Sequence, residues 1–142
     1  MSRLTFSILA IGRCATQFRS EKMAPFGLKG FHISYFIQIC GCPGISQDQL
    51  AQRIYINKSN VARQAAFLEE EGYITRVPSP SDKRMLQLYP TQKAMDLMPH
   101  IRQILQEWDA LITDDLSEED AQAVTAVLER MKFRAGEWMN EH

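Results

Sequence analysis

Residues 46–72 read SQDQLAQRIYINKSNVARQAAFLEEEG, and they carry the most informative helix signals of the chain. Ser46 and Gln49 have the spacing of a capping box, in which a hydroxyl and a side-chain amide satisfy the free N–H groups at a helix start. Asn57 offers the same N-cap chemistry to a second helix, and Gly72 is typical of a left-handed helix end. The stretch therefore predicts two helices joined by a short turn, which is a helix-turn-helix candidate.

A β-hairpin is predicted on the C-terminal side of the helix pair. Residues 73–77 and 85–89 are strand-like runs, and the segment 78–84 that joins them has a basic tip. On the N-terminal side, residues 31–40 are apolar on nearly every face. Their β-branched and aromatic content suits a buried strand, but their length without a turn favours a buried helix, which we expect. The predicted fold class is mainly α with a small β-hairpin, a winged helix-turn-helix.

Both ends of the chain carry apolar stripes with the spacing of helices that pack along other helices. Apolar side chains step by three and four residues within 3–23, 98–112 and 121–138. Because so short a chain cannot bury all three stripes while also housing a winged helix, we expect a two-fold dimer, with a monomeric bundle as the alternative. The expected parts are an N-terminal dimerisation helix at 1–27, the winged helix-turn-helix at 28–92 and C-terminal dimerisation helices at 93–142.

Charge is segregated along the chain, although the net charge is only -1. Residues 1–106 carry 13 Lys and Arg against 7 Asp and Glu, whereas residues 107–142 carry 3 against 10. This asymmetry allows a basic working face and an acidic rear, or two ordinary solvated surfaces. No apolar run approaches the roughly 20 residues of a membrane span, and no processing site follows the N-terminus. A cytoplasmic protein is expected.

The helix at 58–71 presents side chains that suit a major groove, because Arg can fork onto guanine and Asn or Gln onto adenine. The candidates that lie off its predicted buried stripe are Lys58, Ser59, Asn60, Arg63 and Gln64. At the hairpin tip, Arg84 is a candidate for a minor groove or a phosphate, with Asp82 holding it in place beside Lys83. The alternative is a plain solvated helix face and a charged turn. Helix and hairpin together favour DNA binding.

The winged-helix segment and the end helices of this sequence resemble a known family. The segment from Gly44 to Lys93, with Asn57-Lys58-Ser59-Asn60-Val61-Ala62-Arg63 and Asp82-Lys83-Arg84 within it, is similar to the winged helix of the multiple antibiotic resistance regulator (MarR) family. The two end helices extend the resemblance over nearly the whole chain. Gln64 departs from the family pattern, because an apolar residue is usual at its position.

The resemblance implies an obligate homodimer with intertwined end helices. It places the helix at 58–71 in successive major grooves and the wing in the flanking minor groove, with half-sites about 34–36 Å apart. It also implies an inverted-repeat operator, often in the protein's own promoter, and repression of its own or adjacent genes that a ligand relieves. The residues alone do not distinguish a repressor from an activator.

A small aromatic or anionic effector is the kind of molecule that the resemblance implies. The candidate pocket residues are His32, Tyr35, Phe36 and His100, and the alternative is that the aromatic rings are core and the histidines are hydrogen-bonded spectators. The three cysteines, Cys14, Cys40 and Cys42, are interpreted as reduced thiols. Arg13 is adjacent to Cys14, but residues 1–30 contain no tyrosine of the kind that accompanies peroxide-sensing cysteines in relatives.

Other functions are weakly supported. Cys40, Cys42, His32 and His100 lack the spacings of a zinc site, so neither a metal nor a cofactor is expected. An enzyme with Cys14 or Cys40 as nucleophile has no phosphate loop or nucleophile elbow to support it. The remaining alternative is a winged-helix module for protein contacts, which the acidic C-terminal third permits. The sequence therefore predicts a homodimeric, sequence-specific transcriptional regulator that is not an enzyme.

Overall fold

The computed structural model describes residues 3–142 and is mainly helical. Its elements are α1 (Arg3–Met23), a 3-10 turn (Ala24–Phe26), α2 (His32–Gly41), β1 (Ile45–Ser46), α3 (Gln47–Ile54), α4 (Lys58–Glu70), β2 (Ile74–Pro78), β3 (Leu86–Pro90), α5 (Gln92–Ile112) and α6 (Glu118–Glu141). The chain divides into two compact units, one that ends at Leu105 and one that runs from Gln106 to His142. The predicted winged helix-turn-helix is confirmed.

The helix-turn-helix consists of α3 and α4, and both predicted caps are present. Ser46 Oγ accepts from the Gln49 N–H at 3.0 Å, and Gln49 Oε1 accepts from the Ser46 N–H at 3.1 Å. This capping box starts α3 immediately after β1. Asn57 Oδ1 accepts from the Asn60 N–H at 2.8 Å and so starts α4. The ambiguous apolar stretch is the helix α2, as expected.

The wing is larger than the predicted hairpin because a third strand joins it. The antiparallel sheet has the order β1-β3-β2, and in it Ile45 lies opposite Leu88 and Ser46 opposite Gln87. The two hairpin strands begin and end one residue later than predicted. β1 was not predicted, because two residues are too few to show an alternation of apolar and polar side chains and because Ser46 is also the N-cap of α3. The third strand fixes the wing to the start of α3.

One apolar core holds α2, α3, α4 and the sheet together. Its members are buried and almost entirely aliphatic or aromatic, and they include Phe36, Ile39, Leu50, Leu68 and Leu88. Burial of each such side chain contributes about 1.5–3 kcal/mol. α4 therefore has one face in the core, and its other side chains are left for solvent or a partner.

Apolar side chains outside this core are exposed in both units. On α1 they include Leu4, Phe6 and Ile11, and on α6 they include Phe133 and Trp138. α6 starts at Ser117, whose Oγ accepts from the Asp120 N–H at 3.0 Å. No helix among residues 3–142 combines the length and the apolar character that crossing a membrane requires. Each unit thus presents apolar surface that its own fold does not cover.

Tyr55 ends α3 in the left-handed region, with φ of 58°. We expect Tyr55→Gly to be more stable than Tyr55→Ala by about 0.5–1 kcal/mol, because glycine avoids a left-handed penalty of about 1–2 kcal/mol and loses somewhat more chain entropy. Urea unfolding of both variants at one protein concentration measures this difference. The same pair at Tyr89, in the extended strand β3, is expected to give the opposite order. A more stable alanine variant at position 55 would contradict the assigned strain.

Candidate nucleic-acid interface

The first turn of α4 presents polar side chains to solvent in a fixed arrangement. Asn57 Oδ1 accepts from Ser59 Oγ at 2.9 Å as well as from the Asn60 backbone. Arg63 Nη2 donates to Asn60 Oδ1 at 3.0 Å, which leaves the Asn60 amide hydrogens free of that bond. Arg63 is exposed and Asn60 is half-buried beside it. Because both side chains carry N–H donors on one turn of the helix, the pair has the chemistry of a reader of base edges.

Lys58 is held only loosely at the start of α4. Its Nζ lies 3.4 Å from Asp48 Oδ2 on α3, and both side chains are more than half exposed. Exposed ion pairs contribute about 0–1 kcal/mol, so this one is easily exchanged for another anion. Lys58 can therefore turn to a phosphate without disturbing the helix-turn-helix.

Gln64 does not share the outward orientation of its neighbours. It is half-buried, and its Oε1 lies 2.9 Å from His32 Nε2 on α2. The sequence grouped Gln64 with the outward polar set because it lies beside the buried positions Val61, Ala65 and Leu68 without belonging to them. In the structure its carboxamide oxygen connects α4 to α2.

His32 is a buried, neutral histidine. Its Nδ1 accepts from the Lys29 backbone N–H at 2.9 Å, which places the ring proton on Nε2, the atom that donates to Gln64. Burial lowers the pKa of His32 below its ordinary value, and the positive charge of Lys29 acts in the same direction, against the hydrogen bond to Gln64. The neutral form is therefore the one that the fold holds.

The lowered pKa predicts a pH-dependent stability. Below about pH 6.5 an unfolded chain protonates His32 before the folded chain does, so the free energy of unfolding should fall as the pH drops from about 6.5 towards the lower folded pKa. The slope should reach up to about 1.4 kcal/mol per pH unit. Urea unfolding at a series of pH values between about 5 and 7.5 measures this slope. The variant His32→Gln should lose this component, and an equal slope in variant and parent would contradict the assignment.

The wing tip carries two basic side chains on a closed loop. The Ser79 N–H donates to the Met85 carbonyl at 2.7 Å and closes the loop at the ends of β2 and β3. Asp82 Oδ1 accepts from the Arg84 N–H at 3.0 Å and from Arg84 Nε at 3.3 Å. Lys83 is exposed, and the side chain of Arg84 is 92% exposed. Asp82 thus orients Arg84 without burying it.

A polar cluster that the sequence analysis missed joins the wing to the helix-turn-helix. Arg76 on β2 donates through Nε and Nη2 to Glu69 Oε1 on α4, at 3.2 and 3.1 Å, and its backbone N–H donates to Glu69 Oε2 at 3.1 Å. Its Nη1 donates to Gln47 Oε1 on α3 at 3.4 Å. The available signal was an arginine two residues after the buried Ile74, on the inward side of the strand. The cluster fixes the wing relative to α4.

The four candidate effector residues are mostly core. His32, Tyr35 and Phe36 are each no more than 2% exposed, and both ring nitrogens of His32 are hydrogen-bonded. The His100 ring packs 5.5 Å from the Phe26 ring. Tyr35 lines a cleft of about 160 Å³ between α2, α3 and α4. The cleft is lined by Phe31, Ser34, Tyr35, Ile54, Ile56 and Asn60.

The cysteines are free thiols in different surroundings. Cys14 is exposed on α1, whereas Cys40 and Cys42 are half-buried at the end of α2. Burial raises the pKa of the Cys40 thiol, against the opposite effect of Arg102. Within residues 3–142, no three His, Cys, Asp or Glu side chains come together as a metal-binding group.

Comparison with known proteins places this arrangement among transcriptional regulators. The model of the MarR family matches residues 41–86. The HTH-type transcriptional regulator YybA from Bacillus subtilis (strain 168) is 28% identical over 98 residues, which are 69% of this chain and 65% of that protein. The chain thus spans just under two thirds of the length of this curated relative.

Two solved structures share the fold over nearly the whole chain. The crystal structure of a protein named MarR is 26% identical, with a TM-score of 0.90, and the match covers 100% of this chain and 99% of that one. A MarR family transcriptional regulator from Listeria monocytogenes, complexed with a 26mer DNA, is 22% identical, with a TM-score of 0.90 over 98% of this chain and 93% of that one. The second likeness is one of fold.

Proposed function

Since the chain belongs to the MarR family of transcriptional regulators, we propose that it is a homodimeric regulator that binds double-stranded DNA in a sequence-specific manner. It represses its own or adjacent genes until a small aromatic or anionic effector relieves the repression. The operator is an inverted repeat, because a two-fold dimer presents two identical reading heads.

One observation carries the proposal, namely that a polar face at the start of α4 and a basic wing tip are both open to solvent. Arg63 is exposed and hydrogen-bonded to the half-buried Asn60, and both offer donors of the kind that read base edges. Lys58 and Ser59 stand beside them for phosphate contacts, and Gln64 acts through its bond to α2. The wing contributes Lys83 and Arg84, with Asp82 orienting Arg84. In the Listeria relative of the same fold, the partner is a 26mer DNA.

The exposed apolar side chains of α1 and α6 support the homodimer. Side chains such as Leu4, Phe6 and Trp138 are each more than half exposed in the single chain. A second copy that covers them removes them from water, at about 25 cal/mol per Å². In this proposal residues 1–27 and 93–142 serve dimerisation, and residues 28–92 bind DNA.

The relatives are transcriptional regulators, and the chain acts by binding rather than by catalysis. A regulator of this kind acts where the DNA is, in the cytoplasm. Of the candidate effector residues, Tyr35 has a cleft beside it, and that cleft reaches Asn60 on α4. An effector seated there touches the reading face itself.

A fluorescence-anisotropy titration tests the proposal. The full chain is titrated against the duplex upstream of its own gene and against a scrambled duplex, at one stated salt concentration because DNA affinity depends steeply on salt. The proposal expects one dimer per operator, bound at least ~10³-fold more tightly than the scrambled duplex. If the upstream duplex and duplexes selected from a random pool both bind no better than the scrambled one, the proposal is wrong and a role in protein contacts replaces it.

A further inference from the structure

His32 lies where α2 meets α4, and three rings surround it. It is the first residue of α2 and is 2% exposed. Its ring stacks on that of Phe67 of α4, with centroids 5.2 Å apart and planes at 13°. The Phe31 ring lies 4.4 Å away and the Tyr35 ring 6.1 Å away. The imidazole is thus held in one orientation.

Both ring nitrogens of His32 are hydrogen-bonded. Nδ1 accepts from the Lys29 backbone, and Nε2 donates to Gln64 Oε1, each at 2.9 Å. Both distances are those of good hydrogen bonds. We propose that His32 is a positioning residue for DNA recognition, which sets the rotation of α4 about its own axis through the bond to Gln64. This inference rests on the proposed function and adds to it a residue outside the reading face.

The packing of α4 shows why a directional bond is needed there. Its buried stripe contains the short side chains of Val61 and Ala65, and apolar contacts have no preferred direction. A rotation of ~20° moves a side-chain tip ~6 Å from the helix axis by ~2 Å. That displacement exceeds the distance range over which a hydrogen bond to a base persists. Gln64 directly follows Arg63, so fixing Gln64 also fixes the direction of Arg63.

Side-chain variants separate the two hydrogen bonds of His32, one with the Lys29 backbone and one with Gln64. In His32→Asn the amide oxygen takes the place of Nδ1 and keeps the bond to Lys29, but it is too short to reach Gln64. In His32→Gln the amide nitrogen takes the place of Nε2 and donates to Gln64. Gln64→Met removes the acceptor at similar length, and Gln38→Met is the matched control on α2, where Gln38 contacts Arg53.

The probes are a duplex that the parent chain selects from a random-sequence pool and a scrambled duplex. We expect His32→Asn and Gln64→Met each to weaken binding to the selected duplex about tenfold and to leave binding to the scrambled duplex within about twofold, since phosphate contacts dominate the latter. The double variant should be no weaker than either single one, because both remove the same bond. His32→Gln should recover most of the loss, and Gln38→Met should bind like the parent.

Several outcomes would overturn the inference. They are equal losses on both duplexes, no loss on the selected duplex, or His32→Gln binding as weakly as His32→Asn. Amide hydrogen exchange of the full chain without DNA provides a second readout. The α4 amides should lose protection in His32→Asn and Gln64→Met, but not in His32→Gln, while α5 amides stay unchanged. If the parent selects no duplex, the proposed function fails, and hydrogen exchange alone decides whether the bond holds α4.

Discussion

Replacing Arg76 with methionine is expected to lower the free energy of unfolding by about 2 kcal/mol. The change removes the bonds from the guanidinium to Glu69 and Gln47 and keeps the apolar stem. Hydrogen bonds to charged groups contribute about 1.5–3 kcal/mol each, and the half-exposed position of Glu69 reduces the sum. Urea unfolding at fixed protein concentration measures the loss.

A matched variant shows whether the loss belongs to the cluster. Arg130→Met makes the same chemical change on the exposed surface of α6 and should cost less than about 0.5 kcal/mol. In a double-mutant cycle, Arg76→Met with Glu69→Met should cost less than the sum of the single changes, because each removes the same contact. An Arg76→Met variant as stable as Arg130→Met would show that the cluster contributes nothing.

Replacing Arg63 with alanine is expected to weaken binding to a selected duplex by about 1–3 kcal/mol, which is a loss of roughly 5- to 150-fold. Arg63 is exposed on α4 and bonded to Asn60, so under the proposed function its replacement removes a fork that reads a base edge and releases its neighbour. Affinity for a scrambled duplex should change far less, because phosphate contacts supply most of it. Anisotropy titrations with both duplexes measure the two effects.

The wing residue Arg84 should give a contrasting result. Arg84→Ala removes an exposed charge that Asp82 orients, so we expect weaker binding to both duplexes and a salt dependence whose slope falls by about 1. Arg130→Ala, on α6, is the control and should bind like the parent. If Arg63→Ala leaves discrimination between the duplexes unchanged, α4 is not the reading element. If Arg84→Ala leaves both affinities and the slope unchanged, the wing does not touch DNA.

Local signals were enough to predict the helices. Ser46, Asn57 and Ser117 accept the backbone hydrogen bonds that start their helices, because an N-cap acts on residues only two or three positions ahead. The helix α2 was recoverable from its length alone, against its strand-like composition. These features depend on neighbours in the sequence, where pattern reasoning works best.

Features that depend on distant partners were not predicted. Ile45 and Ser46 form a strand only because β3 arrives from more than 40 positions later in the chain. Gln64 has the polarity of an exposed residue, and its partner His32 lies 32 positions away. Arg76 is likewise polar at an inward strand position, and its contribution to stability depends on its hydrogen bond to Glu69. Each polar side chain was assigned by its type, whereas its role follows from what the fold places opposite it.

Ser46 belongs to two elements at once, since it pairs with Gln87 in the sheet and caps α3. A fragment that stopped at the end of α4 would lack the strand that holds this cap in its extended conformation. The shortest fragment in which α3 and α4 keep this fold must therefore extend at least through Pro90, where β3 ends. In folding, the helix pair and the wing should form in a single cooperative event, and its rate should be limited by closing the long loop between β1 and β3.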